Sequence, residues 1–178
     1  MLQRCSIWRV ARVFFDEPKK EHYLMEISRK SDLSHTSVKN KLKELLNQGI
    51  IAKNEKKRGE RIYPIYKAKM ENEDYKHFKK IDLIHRVKET GLLENLKSEY
   101  QPDCIVVFGS AVRGEDTEDS DIDLFLQAKA KEINLNEFEE NLSRSIQLHI
   151  SKSVEEYSEE LRNNIANGTV LHGYLEIF

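Results

Sequence analysis

Two aspartates flank one isoleucine, Asp121-Ile122-Asp123, where an otherwise apolar run begins. Upstream, with ten residues between, stands the pair Gly109-Ser110. In an extended segment, side chains two apart leave the same face, so both carboxylates would share one side of a strand. Two such charges are costly to hold together without a partner. A divalent cation is the natural one: Mg²⁺, or Mn²⁺ in its place, takes one or two carboxylates and fills its remaining positions with water and phosphate oxygens. The glycine lets the backbone come close to a ligand. Free main-chain N–H groups and the Ser110 hydroxyl suit phosphate oxygens. Gly109, Ser110, Asp121 and Asp123 together therefore point to phosphoryl or nucleotidyl transfer with a metal ion on the triphosphate.

The elements around these residues must bring the pairs together. Cys104 to Phe108 is continuously apolar, the pattern of a strand buried on both faces, and a short helix follows to Arg113. Gly114 to Ser120 reads as an acidic loop, with Glu115, Asp116, Glu118 and Asp119 as solvated charges. Residues 121–126 form a second strand, 135–144 a helix, 146–150 a third strand by alternation, and 154–165 a last helix. A short-strand or irregular tail covers 168–178. Alternating strands and helices predict an α/β domain with a small mixed sheet over residues 102–178.

The front of the chain differs. Lys and Arg exceed Asp and Glu by 9 over residues 1–70, the balance is −1 over 71–100, and it falls to −10 over 101–178. The basic front suits phosphate neutralisation and the acidic back does not. Ile7, Val10, Ala11, Phe14 and Phe15 fall at helical spacing over residues 3–16. A second helix is predicted over 23–31. Ser34 is placed to cap a third, which Gly49 ends. Two β-type runs follow about a polar turn at 54–60. Three helices and a hairpin, with LMEISRKSDLSHTSVKNKLKELLNQGII at the centre, resemble the winged helix-turn-helix domains of bacterial and archaeal regulators. On the third helix His35, Thr36, Ser37, Lys39, Asn40 and Lys43 would face DNA, and Lys56, Lys57 and Arg58 at the hairpin tip would act as a wing. A role in dimerisation or protein contact is open to the same fold. Residues 69–101 read as a charged helical linker broken at Gly91.

The stretch FGSAVRGEDTEDSDIDLFL resembles the nucleotidyltransferase superfamily that includes DNA polymerase beta, and most closely its minimal members. Their pattern is Gly-Ser, ten residues, then Asp-x-Asp. Arg113, Gly114 and Ser120 also fit, and the resemblance covers residues 102–178. The whole is thus expected to be an α+β or α/β two-domain protein, an N-terminal winged helix-turn-helix at 1–68 and a C-terminal nucleotidyltransferase fold. The resemblance implies that Gly109, Ser110, Arg113 and Gly114 bind a nucleotide, ATP or another NTP. It implies that Asp121 and Asp123 are catalytic metal ligands, and that a third carboxylate on the next strand helps deprotonate the attacking hydroxyl. At that position this chain has Gln147, with His149 two residues on. An amide is no base near neutral pH. Two functions follow. One is an enzyme that moves AMP from ATP to a protein hydroxyl, such as that of a partner toxin, with DNA binding for autoregulation. The other is a DNA-binding regulator whose nucleotidyltransferase domain is impaired and senses a nucleotide or a partner. Homodimerisation is expected, since such regulators read two half-sites. No apolar run is long enough for a membrane span and no signal peptide is read. Cys5 and Cys104 are read as buried reduced thiols, which suggests a cytoplasmic setting.

Overall fold

The computed structural model describes residues 5–176; the start of the first predicted helix at residues 3–4 and the end of the predicted tail at 177–178 lie outside the described residues. The chain divides into two compact units, residues 1–79 and 80–178.

In the first unit the apolar stripe of α1 (Ser6–Asp16) buries Val10, Ala11, Val13, Phe14 and Phe15. A two-residue strand β1 (His22–Tyr23) leads into α2 (Leu24–Ser31), which stops where Asp32 takes a left-handed conformation, φ 49°. Ser34 caps α3 (His35–Asn47) by accepting a hydrogen bond from the Ser37 N–H at 3.3 Å. At the other end Gly49, φ 72°, lets the Ile50 N–H reach the Leu45 carbonyl and its own N–H reach Leu46, the paired bonds that close a helix with glycine. Strands β2 (Ile51–Arg58) and β3 (Arg61–Ala68) pair in register from Ile51↔Ala68 to Arg58↔Arg61. The turn is therefore only Gly59-Glu60, tighter than the predicted 54–60 loop. Lys56, Lys57 and Arg58 are strand residues running up to the tip. The sheet order is β1-β3-β2. Phe14, Ile27, Val38, Leu42, Ile50 and Ile51 form the core, and Tyr75 closes it by donating its hydroxyl to the Phe14 carbonyl at 2.8 Å.

Helix α4 (Glu73–Glu89) carries Tyr75 into that core and Val87 into the core of the second unit. Helix α5 (Leu92–Tyr100) starts after Gly91 and buries Leu92 and Leu96 in the second core. Residues 69–101 are thus shared between the two cores. In the second unit β4 (Cys104–Phe108) is buried throughout and ends in the four-residue helix α6 (Ser110–Arg113). Strand β5 (Ile122–Gln127), helix α7 (Asn136–Leu142) and strand β6 (Ile146–Ser151) follow. The helix predicted over 154–165 is broken. Val154–Glu156 is a single 3₁₀ turn, and α8 (Glu159–Ala166) starts anew with Ser158 capping the Leu161 N–H. The tail forms β7 (Thr169–Gly173). The sheet order is β6-β5-β4-β7, with β5 and β6 parallel and the other neighbours antiparallel, so the sheet is mixed.

The central strands β4 and β5 bury both faces. Ile105, Val107, Ile122, Leu124 and Leu126 face one cluster with Leu92, Leu96 and Leu142. Cys104, Val106, Phe108 and Phe125 face the other with Val154 and Ile165. Each fully buried side chain of this size contributes about 1.5–3 kcal/mol. Cys104 is buried as predicted, and burial pushes its thiol pKa up. Cys5 is exposed, against expectation, because it lies at the cap position before α1. No helix among the described residues is long and apolar enough to cross a membrane.

Candidate active site

At the end of β4, Phe108 stands in register with Asp123 on β5. The chain then turns at Gly109 with φ 79° and ψ −154°, a region open essentially to glycine alone. A Cβ built there would lie 2.5 Å from Asp123 Oδ2. The glycine is thus what allows the turn to lie directly against the carboxylate. Ser110 begins α6 beside it, and Gly114, φ 69°, ends that helix. Asp121 is exposed and immediately precedes β5, one residue short of the predicted strand. Gly109, Ser110, Asp121 and Asp123 are therefore gathered at one end of the sheet. Arg113 is exposed and turned to Glu115, to which its Nε donates at 2.8 Å.

Asp123 is half-buried, and its acidity reflects this. Burial pushes its carboxyl above the ordinary aspartate range, and the neighbouring Asp121 charge adds to the rise, while His149 opposes it. His149 Nε2 lies 3.8 Å from Asp123 Oδ1, an ion-pair distance too long for a good hydrogen bond. Its ring packs between Phe108, 5.3 Å between centroids, and Tyr157, 6.1 Å. His149 is a half-buried residue of β6 that packs on these aromatic rings. On the parallel strand β6, Gln147 is in register with Asp123 and exposed. The position opposite the carboxylate is thus occupied by an amide.

The loop between the two pairs is not uniformly solvated. Asp116 is 4% exposed, and its Oδ2 accepts from Arg144 Nη2 at 2.8 Å. Arg144 Nη1 also donates to the Ser120 carbonyl at 3.1 Å. One arginine therefore ties the loop at both Asp116 and Ser120, the residue before Asp121. Sequence reading missed both members of this pair. The available signal was weak, since Arg144 is one of four arginines in the acidic second unit.

In the first unit His35, Thr36, Lys39, Asn40 and Lys43 are exposed on α3, and Ser37 is half-buried. Lys57 and Arg58 are exposed on β2. Lys56 is exposed too, but its Nζ is engaged by Glu21 Oε2 at 2.6 Å.

Residues 90–172 match the family model of the nucleotidyltransferase domain. The chain carries a nucleotidyltransferase domain there, and the match begins at the end of α4, upstream of the predicted boundary at residue 102. No curated protein matches the chain. Among solved structures, a possible transcriptional regulator from Methanosarcina mazei Go1 is similar at 18% identity, over 55% of this chain and 85% of that one, with a TM-score of 0.36.

Proposed function

We propose that the nucleotidyltransferase domain transfers a nucleotidyl group, AMP from ATP, to a protein hydroxyl in the manner of an antitoxin acting on its toxin. In the same reading residues 1–68 are a winged helix-turn-helix that binds DNA. The observation that carries the first part is the close approach of the Asp123 carboxylate to the Gly109 turn, where a Cβ would lie 2.5 Å from Oδ2, with Asp121 two residues away in sequence. The donor set fits Mg²⁺ or Mn²⁺. Two carboxylates share one locality, and one of them is held in an environment that resists its charge until a cation offsets it. Asp121 and Asp123 would hold the ion. When bound, it neutralises triphosphate charge and polarises the phosphorus. The main-chain N–H at Gly109 and the Ser110 hydroxyl are the donors for phosphate oxygens, while the Gly114 N–H is spent on the Ala111 carbonyl that closes α6. Arg113 would join them only on leaving Glu115. The Asp116–Arg144 pair holds the loop that leads to Asp121. On DNA, His35, Thr36, Ser37, Lys39, Asn40 and Lys43 would meet the major groove and Lys57 and Arg58 the flanking backbone. Lys56 joins them only if it leaves Glu21. Homodimerisation would place two such surfaces on two half-sites.

A second reading has its own support: Gln147 in register with Asp123. An amide cannot take a proton from the attacking hydroxyl. On this reading the domain holds a nucleotide without turnover and the protein is a nucleotide-sensing, DNA-binding regulator. Transfer from α-labelled ATP with Mg²⁺ to candidate protein acceptors separates the two. Label moved by the wild type and lost in Asp121→Ala supports the enzyme. No label from the wild type, but transfer by Gln147→Glu, decides for the regulator. ATP that neither binds nor reacts would overturn both.

A further inference from the structure

His22 poses a separate problem, in the first unit and independent of the nucleotidyltransferase reading. Its side chain is fully buried, edge-on to Phe14 at 5.3 Å between ring centroids. Nε2 lies 3.2 Å from the Glu17 carbonyl oxygen. A carbonyl only accepts, so Nε2 carries the hydrogen and donates it. Nδ1 then presents its lone pair, and it has no hydrogen-bond partner. What it faces are two carboxylates: Glu26 Oε1 at 3.5 Å and Glu17 Oε2 at 3.7 Å. A lone pair aimed at two anions from a dry position is unfavourable unless something positive stands between them.

We propose that Glu17, His22 and Glu26 bind one divalent transition-metal ion of the zinc class. Their ligand atoms lie within 4.8 Å of one another, the one such group of three among the described residues. Ligands at about 2.0–2.1 Å around a tetrahedral ion stand roughly 3.3 Å apart, so side-chain rotations close the site without moving the backbone. The bond from Nε2 to the Glu17 carbonyl is the outer support that metal-bound histidines use to fix tautomer and ring orientation. The cation's place is currently taken by ammonium groups. Lys20 Nζ is 2.8 Å from Glu26 Oε1, and Lys30 pairs with Glu17 Oε2. Both lysines are partly exposed on flexible stems, so an arriving ion can displace them. The ion would join the end of α1, β1 and α2, three elements of one unit.

The test uses the full chain carrying Cys5→Ser, Asp121→Asn and Asp123→Asn, which silences the exposed thiol and the other candidate metal ligands. Zn²⁺ is titrated calorimetrically, and Co²⁺ is added as a spectroscopic probe. One ion per chain is expected, with a Co²⁺ absorption of nitrogen and oxygen ligation. Glu17→Gln and Glu26→Gln should each weaken binding by more than about tenfold. Lys30→Met, which removes the competing ammonium, should strengthen it. A folding defect cannot mimic that opposite sign. Absence of a one-to-one Zn²⁺ event, or Gln variants that bind as the parent does, would overturn the site.

Discussion

Replacing Gly109 by alanine would put a methyl group 2.5 Å from Asp123 Oδ2, at a φ of 79° that alanine avoids. The variant should lose about 1–3 kcal/mol of stability to backbone strain. It should also lose label transfer, because the turn or the carboxylate must move; calorimetric melting and the transfer assay check the two effects. Gly49 has a similar φ of 72° but nothing nearer than Asn72 Nδ2 at 3.4 Å. Gly49→Ala should therefore cost about 1 kcal/mol and leave transfer intact. Asp123 itself carries a pH dependence. Its folded pKa is raised above the ordinary 3.8, first by burial. Between those two values the folded state keeps a proton that the unfolded chain has released, so this group's contribution falls as pH rises through the window and stays lost above it. Without divalent ions, Asp123→Asn should thus gain on the wild type as pH rises from about 4 and hold that gain at neutrality. Thermal melts across pH check this, and an advantage that instead appeared only on acidification would contradict the sign.

The Asp116–Arg144 pair ties a loop to the start of a strand, and its side chains are 5% and 10% exposed. Arg144→Ala takes the guanidinium away from a buried carboxylate and should destabilise the second unit by up to about 3–5 kcal/mol, with Asp116→Asn in the same chain recovering part of it. Denaturant titration of the single and double variants measures the coupling. Periodicity is what made most elements legible. The stripe of α1, the Ser34 cap, the Gly49 stop and the apolar run of β4 all rest on local rules, and each stands where those rules put it. What was not legible is non-local. The hairpin turn shrinks to Gly59-Glu60 because cross-strand pairing extends through polar residues that carry no strand signal. The helix over 154–165 breaks because Ser158 offers a second cap, which an apolar count does not weigh. Asp116 looks like its acidic neighbours until Arg144, distant in sequence, reaches it. The spacing of Gly109-Ser110 and Asp121-Asp123 was readable, but the contact between Gly109 and Asp123 depends on the register of β4 on β5.

Across the whole chain the charge gradient divides a basic front from an acidic back. The surplus of 9 cations in residues 1–70 predicts DNA retention that weakens steeply with salt, and Lys39→Ala or Lys43→Ala should each lower the salt slope by about 1 without touching label transfer. Binding titrations at several ionic strengths measure this, and slopes unchanged in both variants would remove α3 from the DNA surface. The acidic second unit, at −10 over residues 101–178, should add nothing to that slope. Finally, Gln147 stands in register with Asp123. Glutamine and glutamate codons differ only at their first base. A gene encoding this sheet is therefore a single transversion from placing an acid beside Asp123, and on the proposed reading that one mutational step would divide holding a nucleotide from transferring it, with the strand pairing left as it is.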